Sequence, residues 1–188
     1  ALSSAASDVY KRQVILALST FIVKLASKIG KKELSIIGCF ISAASFILLF
    51  IIHTHNVWVW VGLIIVATIG TSMFNMVIWA MITDVIDESE VQTGVRQDGT
   101  IYSVYSFARK LGQACSSGLS GVLLSIIGYT TATAFDPKVV DGIYNITCLV
   151  PAGGMILLLL ALWFLYPLNK KRVEENAEKL RIKRNENA

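Results

Sequence analysis

Residues 34–52, 57–82, 111–129 and 143–166 of this 188-residue chain are each apolar and long enough to cross a bilayer. A helix needs about 20 mostly apolar residues to cross a hydrocarbon core roughly 30 Å thick. Spans this close together leave no room for a separate soluble core, so the expected fold is an all-α membrane bundle. The composition agrees, with 54% hydrophobic residues and a mean hydropathy of +0.62. In such a bundle a polar side chain inside a span is costly and usually marks a pathway or a site.

The charges give the expected topology. Lys24, Lys28, Lys31 and Lys32 crowd one connection, and Arg96 lies in another on the same side. Lys170, Lys171, Arg172, Lys179, Arg181, Lys183 and Arg184 follow the last span. The opposite loops, 53–56 and 130–141, hold only Lys138. By the positive-inside rule the basic side, including the C-terminus, is cytoplasmic in a multi-pass plasma-membrane protein. The net charge of +4 then reads as a topology signal, not as a nucleic-acid surface. Trp58, Trp60, Tyr129, Trp163 and Tyr166 lie near span ends, where aromatic belts form. Cys39, Cys115 and Cys148 fall inside apolar spans without metal-ligand spacing and read as small packing residues.

Segment 14–23 is apolar but short, and it reads as the remnant of a fifth span. The chain opens without Met or a signal-peptide pattern, so it looks like part of a longer protein. Residues 8–13 resemble a translated adapter sequence, and Lys11 and Arg12 fit a membrane helix poorly. Residues 1–13 are therefore read as a non-native or truncated terminus, 14–167 as the membrane bundle and 168–188 as a cytoplasmic tail.

Two regions carry candidate chemistry. After residue 82 the chain places Asp84, Asp87, Glu88 and Glu90 close together at a membrane edge, followed by Gly94 and Arg96. Asp84, Asp87 and Glu88 share one helical face. An Arg just before a helix N-terminus opposes the macrodipole unless it pairs with a carboxylate. The region reads either as a solvated loop capping two helices or as an ion-pair latch of Arg96 with Asp84 or Asp87.

The second region is the helix beginning near Gly99. Its Tyr102, Ser106, Arg109, Gln113 and Ser117 recur at helical spacing, with Tyr105 and Lys110 on the adjoining strip. Lys110 lies roughly 16 Å along that helix, near a bilayer midplane. It reads either as a cavity residue or as an interfacial Lys snorkelling from a helix that starts later, with Arg109 marking the boundary. Ala114 with Gly118, and Ser117 with Gly121, predict close helix packing. In the span at 57–82, Thr68, Thr71, Ser72, Asn75 and Trp79 form a polar stripe. Aromatic faces stack on sugar rings and Asn bonds hydroxyls, so the stripe suits a sugar cavity, while Trp79 also fits an interfacial anchor. Pro151 predicts a bend in the last span. The tail has a thin apolar edge and reads as a solvated helix.

The run 79–88, WAMITDVIDE, together with Thr93, Gly94 and Arg96, then Ile101, Tyr102 and Ser103, Lys110 to Gly112, Ile127 to Tyr129, and Tyr166 to Lys171, resembles the glycoside–pentoside–hexuronide:cation symporters of the major facilitator superfamily. The resemblance covers roughly residues 14–184. It implies the C-terminal half of a twelve-span carrier, with about five of its transmembrane helices here. The function it implies is cation-coupled sugar or glycoside symport by alternating access. Lys110 matches the family's lysine in the penultimate span, and Asp84, Asp87 and Arg96 match its acidic–arginine loop. The resemblance further implies an N-terminal half, absent here, that carries much of the sugar site and the cation carboxylates. Asn75 stands where one family member has a sugar-contacting Trp, and Asp98 where the family often has Glu. The expected partners are a sugar or glycoside, the bilayer, the other half of the carrier and a coupling Na+ or H+, with no nucleic acid and no covalently bound cofactor. A lipid or drug carrier of the same superfamily and a non-transporting scaffold are the rival readings. An enzyme is not expected, because no metal cluster, nucleophile–His arrangement or phosphate loop is present.

Overall fold

A computed structural model describes residues 22–54 and 56–186. Residues 1–21 lie outside that range, including the region read as non-native and nearly all of the short segment 14–23. Residues 22–29 are helical. Five helices follow: α1 (Lys31–Ile52), α2 (Val57–Thr93), α3 (Asp98–Ile126), α4 (Pro137–Phe164) and α5 (Lys170–Glu186). Among the described residues there is no strand, and α1, α2 and α4 are long and apolar enough to cross a membrane. At 29 residues α3 has the length of a span, but Arg109, Lys110, Gln113 and its serines lower its hydropathy.

The 37 residues of α2 contain no proline, and the helix runs on through the acidic region expected to be a connecting loop. At 1.5 Å per residue it is about 55 Å long, far more than a ~30 Å hydrocarbon core requires. Its last turns therefore stand clear of the apolar stretch and carry Asp87, Glu88 and Glu90. The helix stops at Gly94, whose φ of 78° lies in the left-handed region and whose N–H bonds the Glu90 carbonyl at 2.9 Å. At the other end the Asn56 side chain accepts from the Trp58 N–H and caps the first turn.

α1 and α2 cross at a pair of glycines. A Cβ on either Gly38 or Gly70 would lie 2.5 Å from the other's carbonyl oxygen. Beside the crossing the hydroxyls of Ser42 and Thr71 are hydrogen-bonded at 3.0 Å. α4 packs on α1 and continues through Pro151 as one helix. Its ends are tied to the neighbouring helices. The Tyr144 hydroxyl donates to the Leu49 carbonyl at 2.8 Å, and His53 meets Asp141 at 2.8 Å. At the basic end Lys32 donates to the Tyr166 carbonyl, and the Tyr166 hydroxyl donates to the Met81 carbonyl.

The core is built from Ile22, Ala26, Leu34, Cys39, Val77, Met81 and Leu162. It lies where the helix at 22–29, α1, α2 and α4 converge. Outside it, Phe40, Ile51, Trp58, Leu157 and Phe164 are exposed, as a lipid-facing surface requires. α3 buries no residue. Its small residues do not form the expected close packing: a Cβ on Gly112, Gly118 or Gly121 would meet nothing within 4 Å. Cys115 is exposed there, unlike buried Cys39 and Cys148.

Candidate functional site

The polar stripe of α2 divides by helical phase. Thr71 is used in the α1 crossing, whereas Asn75 and Trp79 turn toward α3. There the Trp79 ring meets three side chains of α3's first three turns. Tyr102 stacks on it with centroids 6.4 Å apart and planes at 29°. Tyr105 meets it edge-on at 5.4 Å. The Arg109 guanidinium carbon lies 5.8 Å from the ring centroid, within cation–π range. Tyr102, Tyr105 and Arg109 share one face at three- and four-residue spacing, which is why one indole engages all three.

Asn75, Trp79, Tyr105 and Arg109, with Phe74 and Ile78, line a cavity of about 480 Å³. Its chemistry is mixed: aromatic faces, an amide, a phenol hydroxyl and one cation. That combination can sandwich a ring, bond hydroxyls and attract an anion. Arg109 lines this cavity. The signal was its place between Ser106 and Gln113 on the polar strip.

Lys110 and Gln113 do not line the cavity. One residue of helix turns Lys110 about 100° away from Arg109, and it is exposed with no ion pair among the described residues. Gln113 shares Arg109's face one turn farther along and is also exposed.

The acidic end of α2 carries a second constellation. Arg96 bonds Asp87 at 2.9 Å, Glu90 at 2.9 Å and Asp98 at 2.8 Å. It thereby joins the end of α2 to the first residue of α3. Its hydrogen bond to Asp87, reinforced by those to Glu90 and Asp98, raises the guanidinium's pKa above the ordinary value. Asp84 is not part of this joint. It is buried and turned toward α1, where it pairs with Lys31 at 2.6 Å. Asp84 lies three residues before Asp87, and α1 packs on its side of α2, so the two carboxylates find different cations.

α5 is docked, not merely solvated. Arg172 holds both carboxylate oxygens of Glu88, and Asn176 bonds the same group at 2.5 Å. The Glu88 hydrogen bond raises the Arg172 pKa. Arg184 reaches Glu90 at 3.5 Å, and Leu168, Asn176 and Leu180 are buried. A groove of about 530 Å³ runs between α5 and the end of α2. It is larger than the Trp79 cavity, but Glu88, Arg172 and Asn176 satisfy one another there, and no aromatic side chain lines it.

A family profile described as MFS/sugar transport protein matches residues 13–170. The glucuronide carrier protein homolog of Escherichia coli K12 is 32% identical over 160 residues, covering 85% of this chain and 35% of that protein. The uncharacterized symporter YjmB of Bacillus subtilis 168 is 37% identical over 152 residues, covering 81% and 33%. A putative sulfoquinovose importer of E. coli K12 is 30% identical over 171 residues, covering 90% and 36%. The chain thus spans about a third of the length of the curated relatives it matches.

Proposed function

The chain belongs to the MFS/sugar transport protein family, in its glycoside–pentoside–hexuronide symporter branch, and from that premise we propose that it forms one wall of a cation-coupled sugar carrier. The observation that carries the proposal is the Trp79 cavity between α2 and α3. Its aromatic faces and its Asn75 and Tyr105 polar groups suit a pyranose better than a lipid tail or an apolar drug. The names of two relatives, a glucuronide carrier homolog and a sulfoquinovose importer, support a sugar or glycoside as substrate. That relatives are transport proteins also fits a protein that makes no covalent change to its substrate.

A carrier of this kind places its binding site between two halves that rock against each other. α3 has no buried residue, and the Trp79 cavity is lined by α2 and α3. The N-terminal half of the carrier is proposed to cover it, bringing Lys110 and Gln113 to the pathway. Lys110 then needs a carboxylate or a hydroxyl partner from that half, since an unpaired cation at membrane depth is costly. The basic end of the bundle, with α5, faces the cytoplasm. Arg96 acts there as a latch, biasing conformations at the α2–α3 joint without touching sugar.

The test uses the complete carrier in proteoliposomes with a labelled sugar. An inward Na+ or H+ gradient should drive accumulation, and Trp79→Ala should abolish most of it. Lys110→Met should damage coupled accumulation more than folding. Arg96→Ala should slow transport more than it weakens binding. Accumulation that ignores both gradients would remove cation coupling. Failure to carry any sugar, with lipid or drug movement intact, would replace the sugar reading with the rival carrier.

A further inference from the structure

We propose that Arg109 is a specificity-determining residue that selects acidic sugars, those bearing a carboxylate or sulfonate, over their neutral counterparts. The inference rests on the sugar-carrier reading above and deepens it.

The first ground is position. Arg109 lines the same cavity as Trp79, Asn75 and Tyr105, so an occupant of the cavity lies beside the guanidinium. The second ground is charge balance. Arg109 has no ion pair among the described residues. On its own helix Asp98, about three turns away, is bonded to Arg96 at 2.8 Å. On α2 the nearest acid, Asp84, is bonded to Lys31 at 2.6 Å. Both acids that flank the cavity along the chain are therefore engaged elsewhere. Among the described residues the cavity's cation has no counter-charge, and an anionic sugar would supply one.

The third ground is geometry. The Arg109 guanidinium carbon lies 5.8 Å from the Trp79 ring centroid, and its planar fork of N–H donors has no carboxylate partner among the described residues. Those donors match the paired oxygens of a carboxylate or sulfonate. The ring of the same substrate can bond Asn75 and the Tyr105 hydroxyl. Lys110 does not substitute for Arg109, because it points about 100° away and lacks the planar fork.

The test compares methyl β-D-glucuronide, its 6-sulfonate analogue and methyl β-D-glucoside as substrates of the complete carrier in proteoliposomes. The unmodified carrier should favour at least one acid over the glucoside by roughly 10- to 100-fold in kcat/KM, the range expected for a charge-assisted hydrogen bond. Which acid wins tells carboxylate from sulfonate. Arg109→Gln should abolish the preference through KM for the acid, and a monodisperse size-exclusion profile of the purified variant reports a folded protein. Arg109→Lys should keep an intermediate preference, because charge remains and the fork is lost. If Arg109→Gln carries nothing, the Arg109→Lys ratio decides, and an unchanged ratio overturns the proposal. Equal transport of glucoside and acids by the unmodified carrier, or a preference untouched by Arg109→Gln, overturns it while the sugar-carrier reading stands. Transport of none of the three overturns both.

Discussion

α3 and α5 are both rich in polar residues, yet they are held very differently. α5 lies along the acidic end of α2, with Arg172 on Glu88 and Arg184 on Glu90, and it buries Asn176 and Leu180. α3 is joined at its base by Arg96, touches Trp79 over its first three turns and buries nothing. The difference lies in where the counter-groups are. Arg172 and Arg184 of α5 each meet a carboxylate of α2 already aligned by helical spacing. Arg109 and Lys110 meet an indole and open space. A charge satisfied within the chain fixes a helix, whereas a charge left over points to a ligand or to another part of the carrier.

The comparison is broken most forcefully at the buried Lys31–Asp84 pair that holds α1 and α2 together. Lys31→Met leaves the Asp84 carboxylate buried without its cation and should cost about 3 kcal/mol. Asp84→Asn should cost less, because the Lys31 side chain is one-third exposed and can turn to water. Thermal unfolding of the chain in detergent checks both, and equal losses would contradict the asymmetry. Next in size is the glycine crossing. Gly38→Ala forces a methyl against the Gly70 carbonyl and should cost about 2 kcal/mol. Gly118→Ala on α3 meets nothing and should be neutral or slightly stabilising in the same melt.

Smaller still is the tail. Arg172→Ala removes the contact of α5 with Glu88 and should lower the melting midpoint less than Gly38→Ala does. It should also make residues near Lys179 more open to trypsin, which limited proteolysis would read directly. The smallest effect is expected for Lys110→Met, within about 0.5 kcal/mol in this chain alone, since the side chain is exposed and unpaired. A large loss there would mean that α3 is packed against the rest of the chain.

Much of this was legible in the sequence. The four apolar stretches locate α1, the first part of α2, most of α3's second half, and α4. Hydropathy could not show that α2 continues to Thr93, because the pattern changes from apolar to acidic while the helix persists until Gly94 supplies a left-handed stop. The small-residue spacing was read at Ala114–Gly118 on α3, but the close crossing forms at Gly38 and Gly70. Spacing says that a backbone can approach; only the partner helix says whether it does. Arg96 with Asp87 is a local pair and could be read from nearby positions. Arg172 with Glu88 and Lys31 with Asp84 join distant parts of the chain, and nothing in either segment names the other. Trp79, Asn75 and Tyr105 were recognisable as sugar-compatible residues. Arg109 was read on the strip of Tyr102 and Gln113 and was also weighed as a boundary marker, because its helical phase relative to Trp79 depends on the α2–α3 joint.

That joint gives α3 a lever arm. Its fulcrum is at Asp98, where Arg96 gathers carboxylates from both helices. Arg109 lies about 16 Å up the lever, so a tilt of about 10° at the base carries its guanidinium roughly 3 Å. A shift of that size separates a hydrogen-bonded oxyanion from one out of reach. On the proposed latch, a small rearrangement of a single arginine at the rim would be amplified into a change of chemistry beside Trp79.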